Sequence, residues 1–169
     1  NVSLPGTTSS GSSGNNYTFT KTYVYSDYSF GTSSDTLTAT VTDAAGNSTT
    51  DTITVGITKA DNANPSLTNF SADDTSVALT TSSQSQTVTF TVVATDNVGI
   101  SSVTIPGTTS GSSSGNSYTF TKTYNYSDYS FGSSTDTLTA TVEDAAGNSI
   151  TDDITINISK SDNQSPSIS

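Results

Sequence analysis

The sequence repeats itself. VSLPGTTSSGSSGNNYTFTKTY, starting at Val2, returns as VTIPGTTSGSSSGNSYTFTKTY, starting at Val103. The offset of 101 residues holds without a gap, pairing Pro5 with Pro106, Asp43 with Asp144 and Pro65 with Pro166. Comparing 1–68 with 102–169, 48 of 68 positions are identical. A period near 100 implies one structural unit per repeat, built from the same local rules each time.

That register sets the expected boundaries. A complete unit runs over about 65–165, so 65–169 reads as one complete repeat plus the start of the next linker. The first copy begins at Asn1, the counterpart of Ser102, and has no counterpart of 65–101. The stretch without a counterpart holds TVTFTVVAT, the most apolar run of the chain. Residues 1–64 are therefore expected to form a partial repeat lacking its first strands, with an open core edge for upstream or neighbouring strands to cover. No signal peptide is visible, and the chain has the look of an internal piece of something longer.

The unit is expected to be all-β. Ser and Thr supply 68 of 169 residues and hydrophobic residues only 30%. Yet the apolar residues fall in alternating runs with Thr on the other face, the pattern of half-wet strands and not of disorder. Strands are expected at 67–72, 76–79, 86–95, around Val103 and Ile105, at 118–126, 137–143 and 150–160. A Ser/Gly-rich loop is expected after Pro106-Gly107. About seven short strands in about 100 residues fit an immunoglobulin-like sandwich. No helical periodicity is present, and no apolar run reaches the ~18 residues of a membrane span.

Charge narrows the function. Four basic residues against 15 acidic ones give a net charge of -11, which repels nucleic acid and anionic lipid. The absence of His and Cys removes Ser-His-Asp and Cys-His catalysis, thiolate metal sites and disulfides. Any metal must be held by oxygen, which points to Ca²⁺. The oxygen ligands recur in three places: the linkers Asp61-Asn62 and Asp162-Asn163, the Asp96-Asn97-Val98-Gly99 turn, and the Asp-Ala-Ala-Gly-Asn turns at Asp43 to Asn47 and Asp144 to Asn148. In an immunoglobulin topology the corresponding loops lie at the pole where the chain comes in. Asp61, Asn62, Asp96, Asn97, Asp144 and Asn148 are thus expected to form one Ca²⁺ site. Asp43, Asn47, Asp162 and Asn163 would serve further junctions whose partners lie outside the chain. Taken singly, each motif is also a good Asx-Gly turn.

The pattern TDNVGISSV followed by TLTATVEDAAGNS resembles the tandem immunoglobulin-like repeats of giant bacterial surface adhesins. That resemblance covers 65–165 and the partial first copy. It implies an extracellular, cell-surface stalk, stiffened by interdomain calcium in a cadherin-like manner and contacting neighbouring repeats of the same polypeptide or other subunits of the same protein. It implies no enzyme, and no catalytic set is apparent in the residues.

Two features fall outside this scheme. Lys21 and Lys122 share a strand face with Tyr and Phe, where snorkelling to water or to a carboxylate competes with a Lys–Asn crosslink. The nearest amide candidate, Asn157, is Gly56 in the other copy, which favours ordinary amines. The YSDYSFG segment offers Tyr126, Tyr129 and Phe131 as a candidate glycan contact. The rival functions are accordingly a self-assembling extracellular filament or surface layer joined by strand complementation, and a carbohydrate-binding module.

Overall fold

The computed structural model describes residues 1–167. It is all-β, apart from two single 3₁₀ turns. The chain forms two units, Asn1–Asp61 and Asn62–Ser169. The division falls slightly upstream of the boundary read from the repeat, because Pro65 is fully buried in the second unit and the Ala63 carbonyl accepts a hydrogen bond from Asn148.

The second unit holds β6 (Ser66–Ala72), β7 (Ser76–Leu79), β8 (Ser85–Thr95), β9 (Ile100–Thr104), β10 (Thr109–Ser114), β11 (Ser117–Asn125), β12 (Gly132–Asp144) and β13 (Ser149–Lys160). One sheet has the order β10-β11-β8-β6 and the other β7-β13-β12-β9. In immunoglobulin lettering these are D-E-B-A and A′-G-F-C, so the unit is an immunoglobulin-like sandwich with a split first strand. β7 leaves the first sheet and pairs parallel with β13, while every other ladder is antiparallel.

Alternation decides which side chains go inside. Val88, Phe90, Val92 and Ala94 on β8 face Leu138, Ala140 and Val142 on β12 and Ile156 and Ile158 on β13, all within 3% of complete burial. The intervening Thr residues stay wet; Thr137 and Thr155 bond each other across the ladder at 3.1 Å.

Three expectations need correction. The Ser/Gly-rich stretch is strand β10, not a loop: its residues are all exposed and it is held by its ladder to β11 and by Thr119, whose hydroxyl donates to the Ser112 carbonyl at 3.0 Å. Ile105 lies past the end of β9, although its side chain is buried as expected of the core. The strand expected to reach Tyr126 stops at Asn125, where Tyr126–Asp128 turns as a 3₁₀ helix.

The first unit holds β1 (Val2–Ser3), β2 (Thr8–Ser13), β3 (Asn16–Thr20), β4 (Gly31–Thr42) and β5 (Ser48–Lys59). Its sheets are β1-β4-β5 and β2-β3, the counterparts of C-F-G and D-E. Counterparts of β6, β7 and β8 are absent from it, and none of its residues is fully buried.

Candidate metal centre

The site stands at the pole of the second unit where the chain comes in. The β12–β13 hairpin closes through three residues: the Asp144 amide donates to the Asn148 carbonyl at 3.0 Å, and Gly147 takes φ +93°. This is a type I turn followed by a left-handed residue, which explains the glycine. The Asp144 carboxylate folds back over the turn. Its Oδ1 accepts the amides of Ala146 (2.8 Å) and Asn148 (2.9 Å), and its Oδ2 accepts the Asn148 side chain at 2.8 Å.

Asp144 is only 1% exposed. Burial opposes its ionisation, but the side-chain and backbone bonds from Asn148, with the amides of Ala146 and Gly147, outweigh it and hold the carboxyl below the usual range. It is therefore a carboxylate fixed in place before any ligand arrives.

The β8–β9 turn brings Asp96. Its Oδ1 accepts the Val98 amide at 2.7 Å, an Asx turn closed by Gly99 at φ +100°. The two turns are bonded directly, the Ala145 amide donating to the Gly99 carbonyl at 3.0 Å. Ser101 reinforces the join by donating to the Asp144 carbonyl at 2.6 Å. Asp61, half-buried in the incoming extended segment, completes the group: one carboxylate oxygen from each of Asp61, Asp96 and Asp144 lies within 4.8 Å of the other two.

The other candidates are placed differently. Asn62 and Asn97 are exposed beside the group. Asn148 turns its nitrogen to Asp144 and to the Ala63 carbonyl (3.1 Å), so it clamps the turn and the incoming segment together. Asp43 and Asn47 repeat the clamp in the first unit, with Asp43 Oδ1 accepting the Asn47 amide at 2.8 Å, but both are exposed. There too the Asn47 bonds, side chain first, hold the Asp43 carboxyl low. Asp162 and Asn163 are exposed, and Asp162 Oδ1 accepts the Gln164 amide. The carbonyls of Ala63 and Gly99, which tie the loops together, carry no side-chain signal and escaped the sequence reading.

No lysine serves the acidic group. Lys122 lies 2.7 Å from Asp136, and Lys21 pairs with Asp35. Lys160 donates to the Tyr129 carbonyl at 2.7 Å with its ammonium 3.9 Å from the Tyr126 ring and 5.0 Å from Phe131. Lys59 repeats that arrangement at Tyr28, Tyr25 and Phe30. These four are the whole basic complement. The candidate glycan rings Tyr126 and Phe131 thus pack edge to face around Lys160, and Tyr129 lies against Tyr124.

Three carboxylates converging without a basic side chain fit a hard divalent cation, because only its charge offsets their mutual repulsion. A soft metal has no suitable donor here.

No protein-family model matches the sequence, and no curated protein does. Among solved structures the chain is similar to the EC3-6 segment of protocadherin gammaB7, a cis-dimer structure, at 15% identity and a TM-score of 0.39, over 75% of this chain and 32% of that one. It is similar to the EC1-4 segment of PcdhgB3 at 12% identity and a TM-score of 0.37, over 76% and 32%. The chain spans about a third of the length of each.

Proposed function

We propose that this chain is part of the stalk of a repetitive bacterial surface adhesin: an extracellular spacer that holds a tip away from the cell. Its contacts are with neighbouring repeats of the same protein, and Ca²⁺ bound by Asp61, Asp96 and Asp144 pins the incoming segment to the pole of its unit. The role is mechanical and involves no catalysis. The observation that carries the reading is the convergence of three carboxylates from three separate segments, while every lysine is engaged elsewhere. The near-identical repeat supports the spacer role, because a chain that copies one sandwich builds length and not a new pocket. An immobilised incoming segment limits bending where one repeat gives way to the next.

Calorimetry on the chain tests the proposal. A cation that binds only the folded state stabilises it by about 2.7 kcal/mol at a hundredfold excess over its dissociation constant. The thermal midpoint of the second unit is expected to fall in EDTA and to recover with Ca²⁺ but poorly with Mg²⁺, whose smaller octahedral shell tolerates this donor set less well. Asp96→Asn is expected to abolish the difference. An EDTA-insensitive midpoint, with no bound Ca²⁺ by native mass spectrometry, overturns the metal assignment.

A further inference from the structure

The first unit carries a cleft of about 640 Å³ between its two sheets, lined by Val2, Tyr17, Phe19, Ala39 and Val41. The second unit shows what fills that space. The counterparts of those residues, Val103, Tyr118, Phe120, Ala140 and Val142, pack in a core whose centre is Phe90 and Val92 of β8. Exposure follows the difference: Val142 is 0% exposed and Val41 46%, although the strands that carry them are nearly identical. The backbone repeats the message. β11 runs nine residues, Ser117–Asn125, and pairs with β8 along its whole length, Ser117 with Val93 through to Asn125 with Ser85. Its counterpart β3 stops after five, at Thr20, where its partner β2 gives out. Residues 16–24 therefore present an edge with the sequence of a nine-residue ladder and, among the described residues, a partner on one side only.

We propose that this cleft and edge are a docking site for a strand segment of the Ser66–Thr95 type, contributed by another copy of the repeat. The occupant is fixed by chemistry already present in the chain. It must offer an antiparallel strand with large apolar residues at alternate positions and Thr between them, because Phe120 pairs with Phe90 and Tyr118 with Val92 in the completed unit. Main-chain bonds along the edge supply affinity, and the alternate side chains filling the cleft supply register and specificity. The site continues the pairing that the second unit forms with its own β8, transferred to an equivalent edge.

The test uses the 169-residue chain and a synthetic peptide of residues 62–101. Hydrogen exchange read by mass spectrometry is expected to slow across 16–24 on adding peptide, by about a hundredfold at a hundredfold excess over its dissociation constant, with exchange in the second unit unchanged. A peptide carrying Phe90→Asp and Val92→Asp is expected to give no protection. Val41→Asp in the chain is expected to abolish the effect while leaving the thermal midpoint of the second unit where it was. Since Val41 is half exposed, that variant does not depend on refolding a closed core. No protection at saturating peptide, protection that survives the double Asp peptide, or a chain dimer by ultracentrifugation that peptide does not dissociate each overturns the proposal; the last would mean that two open clefts close on one another.

Discussion

Tyr124 and Lys122 meet at one oxygen: Asp136 Oδ2 accepts the tyrosine hydroxyl at 2.8 Å and lies 2.7 Å from the lysine ammonium. The first copy repeats the arrangement with Tyr23, Lys21 and Asp35. There the Lys21 hydrogen bond is the main reason that the Asp35 carboxyl sits low, and the same bond raises the lysine. A protonated amine beside an ionised carboxylate is neither nucleophile nor electrophile, so no amide forms between them. The intact mass of the chain is expected to equal the mass of its sequence; a deficit of about 18 Da, one water lost per Lys–Asp amide, that vanishes in Lys122→Ala would reverse this. That the lysine snorkels was legible from the aromatic face it shares. That Asp136 receives it was not, since the pairing needs two sheets to be stacked. Tyr124 adds a pH dependence: burial first, then the Asp136 bond, push its phenol well above the ordinary value. A group whose folded pKa is raised contributes stability that is complete below its unfolded value, about 10, and lost as pH rises beyond it. The urea midpoint of the second unit is expected to fall from about pH 9.5 upward, and Tyr124→Phe to flatten that fall; an equal slope in the variant would assign it to the lysines (pKa ~10.4).

At the scale of elements, side-chain period did most of the specifying. β8, β12 and β13 were legible because Val, Phe, Leu and Ile alternate with Thr. β10 was not: TSGSSS contains no apolar residue, and only the backbone ladder and Thr119 make it a strand. The aromatic YSDYSFG segment was legible as a cluster, but its occupant, Lys160, comes from the far end of β13 and is supplied by topology alone. The acidic site divides the same way. Asp96 and Asp144 announced themselves as Asx-Gly turns, and the immunoglobulin topology placed them at one pole, while the backbone bonds that join the two turns had no sequence signal. The hairpin carrying Asp144 gives a test at this scale. An alanine at Gly147 meets no atom within 4 Å, so its cost is backbone strain at φ +93° and nothing else. Gly147→Ala is expected to destabilise the second unit by about 1–2 kcal/mol and to weaken Ca²⁺ binding through the displaced Asp144. Gly56→Ala, at a strand position with no positive φ and no clash, is expected to cost nothing. Equal midpoints for the two variants would show that the turn does not need its left-handed residue.

For the whole molecule, the repeat makes an internal control. The two units share most of their sequence from the third strand on, yet among the described residues every fully buried hydrophobic one belongs to the second, from Val77 to Ile158. The difference is the 65–101 stretch, whose β8 supplies Val88, Phe90, Val92 and Ala94 to both sheets' core. Ordering a residue costs about 1–2 kcal/mol of backbone entropy, and only apolar burial on the scale of a closed core offsets it. In the first unit Tyr17, Val24, Val41 and Ile53 remain about half exposed, so its strands are ordered with little burial to hold them. A fragment of residues 62–169 is therefore expected to melt cooperatively, with the same midpoint that the second unit shows in the full chain. A fragment of residues 1–64 is expected to give no cooperative transition and narrow amide dispersion by NMR. In the full chain the amides of 1–61 should exchange far faster than those of β8, β12 and β13, whose opening needs the whole sandwich to come apart. A cooperative melt from 1–64 alone would mean that the C-F-G and D-E strands carry enough of a core without their partners, and would remove the physical reason for the cleft to take a strand from elsewhere.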